Sequence, residues 1–310
     1  MQAAFAAVDW GTSSFRLWLI DAAGAVLAER RSDEGMLNAG KDGFAAILER
    51  HLSELSAPPE LPVIICGMAG ARQGWLEAPY VPVPAKLDDI LAGAVTIPAR
   101  REIRILPGLA QRAADRPDVM RGEETQLAGI LPLLVSGDHL VCMPGTHSKW
   151  VQASEGVIVG FRTWLTGELF SVLSKQSILR HSFGEHQRAA KADDPAFQKS
   201  LATAFDLGGD FGRALFSIRA GTLLHDLSAD DAAATLSGLL VGAEIASARA
   251  AFDAPDRVIL VGSGTLGLLY RAALERDGFT VLSADADEAV RAGLVEAARR
   301  LGWIERKIKP

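Results

Sequence analysis

Three short strand-like runs open the chain, at residues 3–9, 14–20 and 25–31, with "WGTS" and the turn "DAAG" between them. Runs of this length with turn residues between them predict a meander of three antiparallel strands. A helical apolar period then covers "KDGFAAILERHLSEL" (41–55), and "PVIICG" (62–67) reads as a buried strand. The stretch "GMAGARQGWLEAPYVPVPAKL" (67–87), rich in Pro and Gly, is longer than a plain connection needs, as loops that carry a site often are. A short strand, "IRILPG", leads to "MRGEETQLAGILPLLV" (120–135), a predicted helix with two acidic residues in its first turn.

Residues 139–162 repeat the opening pattern: "HLVCM", turn "PGTHS", "KWVQA", turn "SEG", "VIVGFR". Gly11-Thr12 and Gly145-Thr146 take the same place in the two meanders, which implies an internal duplication with a boundary near residue 136. Helical patterns dominate afterwards, at 167–179, 211–227 and 234–252. The strand "VILV", a helix, a further strand and a last helix from about 286 to 301 follow. The expected domains are 1–136 and 137–310, each an α/β lobe.

Composition narrows the classes. A formal charge of −6 and the absence of any Lys/Arg block argue against nucleic acid as a partner. No apolar run approaches the roughly 20 residues of a membrane span, and the start has neither a basic segment nor an apolar core of signal-peptide type, so a cytoplasmic protein is expected. The two cysteines, Cys66 and Cys142, lie in buried-strand patterns and match no zinc or disulfide spacing. His147 near Cys142 supplies at most two ligands, too few for zinc.

In "VDWGTSSFR" a turn gathers Gly11, Thr12, Ser13 and Ser14, offering backbone N–H groups and hydroxyls to an anion, with Asp9 beside them for a magnesium shell. A polar hairpin turn with an incidental Asp is the plain alternative. Recurrence of Gly-Thr in the same register favours phosphate binding, since two such turns can hold a polyphosphate between lobes.

These paired hairpins, with the Gly-rich turn at 262–267, resemble the phosphate and adenosine elements of the sugar kinase, heat-shock ATPase and actin superfamily. More closely, "DWGTSSFR", "CGMAGARQGW", "MRGEETQ", "PGTHSKW", "TGELFSVL" and "LSGLLVGAE" resemble, in order and over nearly the whole chain, the 2-dehydro-3-deoxygalactonokinase family. The resemblance implies a two-lobed actin-like ATPase fold with duplicated ribonuclease H-like domains and the nucleotide in the cleft between them. It also implies ATP and Mg2+, and phosphoryl transfer to the 6-hydroxyl of 2-dehydro-3-deoxy-D-galactonate in galactonate breakdown. Met143 and Pro144 stand where Asp9 and Trp10 stand in the first hairpin, so the base lies elsewhere. In the glycerol-kinase-like branch it is a Gly-Asp at a helix start just before the second hairpin. "RGEETQLAG" resembles that segment, with Glu123 as base and Glu124 as rival. Both glutamates are also readable as mere partners of a helix dipole.

A carboxylate substrate calls for local cations. Arg72, in the loop that resembles the sugar-binding segment of related kinases, is the first choice, because a guanidinium can donate two parallel bonds. Gln73 and Trp75 are its expected hydrogen-bonding and stacking companions. Arg121, Lys149 and Arg162 are further cations, each also readable as a solvated surface residue.

Gly262, Gly264 and Gly267 have the G-x-G-x-x-G spacing of a dinucleotide fingerprint, with Asp285 downstream. That fold needs its Gly-rich turn at the first of several parallel strands, and little chain follows Asp285. In the kinase reading, Gly262 and Gly264 approach the nucleoside; close helix-on-strand packing is the plain alternative. A nicotinamide-dependent dehydrogenase and a non-catalytic nucleotide-gated sugar sensor are the rival functions. The implied partners are ATP and a small sugar acid. A homo-oligomer and the stereochemical range of acids accepted stay open.

Overall fold

The computed structural model describes residues 2–184, 188–207, 210–252 and 256–305. The chain divides into two compact units, Met1–Gly137 with Ser154–Gly160 and Ala286–Pro310, and Asp138–Ala153 with Phe161–Asp285.

In the first unit β1 (Ala3–Trp10), β2 (Phe15–Asp21) and β3 (Val26–Ser32) form the antiparallel meander expected from the apolar runs. Helix α1 (Met36–Glu54) starts five residues before its apolar period does. The hairpin explains this, because the N–H groups of Met36 and Leu37 donate to the carbonyls of Gly11 and Thr12, each at 3.0 Å. Strand β4 (Val63–Gly67) pairs in parallel with β1. The 67–87 stretch holds a 3-10 turn at Met68–Gly70 and β5 (Tyr80–Pro82). After it come α2 (Leu87–Ala92), β6 (Val95–Ile97), β7 (Ile103–Ile105), β8 (Gly108–Gln111) and β9 (Asp118–Met120). Helix α3 (Glu123–Gly129) is about half the predicted length and gives way to a 3-10 turn at Leu131–Leu133 containing Pro132, which cannot donate within a helix.

The second unit repeats the scheme. Strands β10 (Asp138–Met143), β11 (Ser148–Ser154) and β12 (Val157–Trp164) are followed by the helices α4 (Thr166–Gln176), α5 (Pro195–Phe205), α6 (Phe211–Leu224) and α7 (Ala229–Phe252). Then come β13 (Arg257–Val261), α8 (Gly264–Arg276) and β14 (Thr280–Ala284), after which the chain returns to the first unit as α9 (Ala286–Arg300). The larger sheet of the first unit has the order β3-β2-β1-β4-β7-β6, and the second has β12-β11-β10-β13-β14. In both, a meander is extended on the side of its first strand by parallel strands. A smaller sheet, β5-β8-β9, accompanies the first.

Side-chain alternation builds the core of the first unit. Ala6, Val8, Trp10, Leu17 and Ile65 pack with Phe44, Leu48 and Leu52 of α1, while Phe5, Ala7, Trp18, Ile64 and Cys66 pack with Val290, Leu294, Ala297 and Ala298 of α9. From the sequence α9 is expected in a second lobe running unbroken to residue 310, but it belongs to the first unit. An amphipathic pattern fixes which face is buried, not what it is buried against. α9 packs tightly on α3 at a glycine of each helix. A Cβ on Gly129 would lie 1.8 Å from the carbonyl oxygen of Ala289, and one on Gly293 would lie 1.9 Å from that of Thr125. Among the described residues no helix is long and apolar enough to cross a membrane.

Candidate active site

The C-terminal ends of β1 and β4 form a rim in the first unit, the place where open α/β sheets present ligands. Asp9 sits there in register with Arg16 of β2 on one side and Cys66 of β4 on the other. Arg16 donates through Nε, at 3.1 Å, and through Nη2 to Asp9 Oδ2, and through Nη1 to Asp287 at the start of α9. The Cys66 thiol, 3.7 Å from Asp9 Oδ1, is pushed up in pKa by burial and then by the carboxylates of Asp9 and Glu124, so it stays protonated and donates. Asp9 is thus held from both sides.

Immediately after β1, Gly11, Thr12, Ser13 and Ser14 turn the chain. The Gly11 N–H donates to the carbonyl of Ser14 at 2.8 Å, and Thr12, Ser13 and Ser14 are exposed. Trp10 Nε1 donates to the carbonyl of Glu34 at 3.0 Å, and Gly35 lies so close to Ser13 that a Cβ there would meet its backbone at 2.5 Å. The turn is therefore held in place with Thr12, Ser13 and Ser14 exposed.

The end of β4 brings α3 to the same rim. Gly67 has φ +87°, and the Cβ site of Gly122, φ +105°, lies 3.6 Å from Gly67 Cα. These two left-handed positions need glycine and direct the chain abruptly into the 68–70 turn and into α3. The two rival glutamates of α3 differ sharply. Glu124 is buried, its Oε2 accepting from the N–H of Gly122 at 2.6 Å and its Oε1 from Thr125 Oγ1 at 2.9 Å. Burial, and secondly the charge of Glu123, raise its pKa from near 4.5 to about 8. Glu123 is partly exposed, its Oε2 accepting from the Arg121 N–H at 3.0 Å.

The 67–87 loop is tightly folded. The N–H of Trp75 donates to the carbonyl of Ala69, and that of Ala78 to Gly70. Arg72 and Gln73 are exposed at its tip. Trp75 stacks on Phe44 at 6.1 Å and meets Trp10 edge-on at 6.3 Å, so part of its ring belongs to the core. Arg121 is no solvated surface residue: Nη2 donates to the carbonyl of Ala78 at 2.8 Å, the guanidinium lies 4.4 Å over the Tyr80 ring, and Nε and Nη1 are buried with no partner among the described residues.

In the second unit the Gly145-Thr146 turn is held as the first is, by the opening of a helix. Glu168 N–H donates to the carbonyl of Thr146 at 2.9 Å, and Gly167 packs so closely that a Cβ would lie 2.5 Å from the carbonyl oxygen of Gly145. Lys149, also readable as a surface residue from the sequence, is only 4 % exposed, and its Nζ donates to the carbonyl of His147 at 3.0 Å. Beside the turn opens a cavity of about 290 Å³ lined chiefly by apolar groups, among them Gly145, Gly167, Phe170, Leu240, Thr265 and Tyr270. The first turn of α8 reaches it through Thr265 and Leu266. Gly262 and Gly267 face each other, a Cβ on either coming within 3.3 Å of the other's backbone, which is helix-on-strand packing; nothing stands within 4 Å of a Cβ on Gly264. Asp285 accepts from Ser263 Oγ at 2.7 Å. Arg162 does not line the cavity, its guanidinium lying 5.2 Å over the Phe252 ring.

Sequence reasoning missed Glu244, the buried acceptor of the second unit. Its signal was one acidic residue inside the apolar stretch 234–252 of α7. Burial raises its pKa, and it accepts from Trp150, Thr166 and Tyr270. Both cysteines are free and buried, and no cluster of three or more His, Cys, Asp or Glu suited to a metal occurs among the described residues.

A meander extended by parallel strands, present twice and each time with a Gly-Thr turn, gives an α/β protein with an actin-like fold. The activator of 2-hydroxyisocaproyl-CoA dehydratase from Clostridium difficile, solved with bound ADPNP, shares the fold at a TM-score of 0.52 and 11% identity, over 98% of this chain and 99% of that one. The family profile DGOK, 2-keto-3-deoxy-galactonokinase, matches residues 9–297, and the chain belongs to that family. A Rhizobium meliloti (strain 1021) protein provisionally named 2-dehydro-3-deoxygalactonokinase DgoK1 is 56% identical over 96% of this chain and 97% of its own. The 2-dehydro-3-deoxygalactonokinase of Escherichia coli (strain K12) is 35% identical over 95% and 97%. The crystal structure of a Sinorhizobium meliloti protein with the same provisional assignment matches at a TM-score of 0.92 and 56% identity, over 96% of this chain and 99% of that one. The dehydrogenase and sensor readings gain no support from these relatives.

Proposed function

We propose that this chain transfers the γ-phosphoryl group of ATP to the 6-hydroxyl of 2-dehydro-3-deoxy-D-galactonate, releasing ADP and the 6-phosphate. What carries the reading beyond family membership is the rim of the first unit, where Asp9, the Gly11–Ser14 turn and a partly exposed Glu123 come from strand and helix ends that meet there. Glu123 accepts the proton of the attacking hydroxyl, while Glu124, buried and protonated near neutrality, spares it a neighbouring negative charge. Thr12 and Ser13 offer hydroxyls and N–H groups to phosphate oxygens, and Gly145 and Thr146 do the same in the second unit. The apolar cavity beside Gly145 suits a nucleoside, with Gly264 leaving room for close approach. Arg72, exposed and without an ion pair among the described residues, binds the substrate carboxylate, and Gln73 lies beside it.

Asp9 fits a magnesium ion through water better than directly, because Arg16 and Cys66 already occupy its two oxygens. Such an ion would offset charge on the β- and γ-phosphates. The deciding experiment follows ADP release with ATP, Mg2+ and a panel of 2-keto-3-deoxy sugar acids. Turnover that requires 2-dehydro-3-deoxy-D-galactonate is expected, and ADP release indifferent to the acid would overturn the proposal.

A further inference from the structure

Helix α7 is largely apolar where it is buried, yet Glu244 stands in that stretch at 2 % exposure. A carboxylate taken out of water is costly unless hydrogen bonds replace its hydration, and three other elements supply them. Trp150 Nε1 of β11 donates to Oε1 at 2.8 Å; Thr166 Oγ1, at the start of α4, and the Tyr270 hydroxyl of α8, at 2.5 Å, donate to Oε2. Ser148 Oγ lies 3.0 Å from that same Tyr270 hydroxyl.

These partners lead to the second Gly-Thr turn from both flanks. On one flank Thr166 anchors the helix opening in which Gly167 packs on Gly145 and the Glu168 N–H binds the carbonyl of Thr146. On the other flank Ser148, two residues after Thr146, is tied to Tyr270. Thr166 and Tyr270 also form part of the cavity wall with Gly145, whereas Glu244 does not line the cavity. We infer that Glu244 is the positioning residue of the nucleotide site, one buried carboxylate setting the second turn and two cavity walls in register without touching the ligand. The inference deepens the kinase reading and rests on it for the identity of the ligand.

Substitution separates positioning from bulk stability. Glu244→Gln keeps an acceptor for Trp150 and turns its amide toward two hydroxyls, which can accept as well as donate. Glu244→Leu keeps the approximate size and strands all three donors. Ser148→Ala, a milder variant that lines no part of the cavity, serves if Glu244→Leu does not fold. The readouts are the Kd for ADP by calorimetry and the apparent KM for ATP and for the sugar acid. Glu244→Leu should raise the ADP Kd and ATP KM about tenfold or more, with the sugar-acid KM within about twofold, and Glu244→Gln should restore both nucleotide constants to within about threefold of the parent chain. Ser148→Ala should move them the same way by about threefold. Folded variants with unchanged ADP binding, or with both KM values rising in step, would overturn the inference. A parent chain that binds ADP without acid-dependent turnover would remove the kinase reading alone, and the ADP measurements would still decide the role of Glu244.

Discussion

Arg16 faces Asp9 directly across the first hairpin and spends two of its donors on one carboxylate oxygen, Nε reaching Oδ2 at 3.1 Å. The pair is mostly buried, so it is an orienting contact more than a screened surface bridge. Asp9 therefore keeps one fixed orientation at the end of β1. Asp9→Asn keeps the shape and removes the charge that would order a magnesium shell. Turnover should fall about 100-fold, and the Mg2+ concentration for half-maximal rate should rise. Rates titrated against Mg2+ test this; an unchanged Mg2+ midpoint would exclude Asp9 from the metal shell.

Glu123 and Glu124 are adjacent in sequence and opposite in circumstance. Glu123→Gln should lower kcat by about 10²- to 10⁴-fold with ADP binding intact, since the amide cannot take a proton. Glu124→Gln mimics the neutral carboxyl that burial already favours, and turnover should largely survive. Glu124 also brings a pH dependence of its own. With the folded-state pKa of Glu124 raised to about 8, the fold retains a proton that the unfolded chain has released above its ordinary value near 4.5. Its contribution to stability is full below that ordinary value and is lost as pH rises through about 8, on the order of 5 kcal/mol in all. Melting curves from pH 4 to 9 should show a decline that Glu124→Gln flattens. If Glu124→Gln abolished turnover while Glu123→Gln remained active, the base would be Glu124.

Arg72 and Arg121 make separate demands on a substitution. Arg72→Lys keeps the charge and loses the fork, so the sugar-acid KM should rise about tenfold with the ATP KM unchanged. Arg121→Lys gives up the geometry that places a guanidinium over Tyr80 and against the carbonyl of Ala78, and should lower the melting temperature more than it alters either KM. A rise in the ATP KM alone for Arg72→Lys would make Arg72 a nucleotide residue.

Much of this fold was legible because local patterns coincide with local structure. Apolar runs broken by Gly-Thr turns marked both meanders, and the acidic first turn of α3 stood out beside Gly122. What escaped prediction depended on distant partners. The return of α9 to the first unit leaves no local trace, since its apolar face would suit any sheet. Lys149 and Glu244 look solvated in sequence because a charge is ordinarily exposed, and only the donors and acceptors gathered around them show otherwise. The G-x-G-x-x-G spacing is ambiguous on its own for a related reason: Gly262 and Gly267 serve helix-on-strand contact, the plain alternative to nucleoside approach, and the dinucleotide motif shares that contact. On that footing Mg-ATP should stabilise the protein by about 2.7 kcal/mol at 100 times its Kd. NAD at the same concentration should leave the melting temperature unchanged, and equal shifts would return the dehydrogenase to consideration.

Gly293 offers a test in which two physical effects have opposite signs. It lies inside α9, where replacing glycine by alanine ordinarily stabilises a helix by up to about 1 kcal/mol. Here the new methyl would fall 1.9 Å from the carbonyl oxygen of Thr125, a backbone atom that cannot rotate away, so α9 and α3 must separate. Overpacking of this kind costs about 1–3 kcal/mol or more, and Gly293→Ala should lower the melting temperature. Because α3 begins with Glu123, the same displacement should also reduce kcat, by as much as about 100-fold for a 1 Å shift of a catalytic group. Gly212→Ala is the matched control: Gly212 lies in α6 with nothing within 4 Å of its Cβ site, so helix propensity acts alone and stability should hold or rise. If Gly293→Ala also stabilised the protein and left kcat intact, α9 would not be the support that fixes α3, and the placement of Glu123 would have to depend on Gly67 and Gly122 instead.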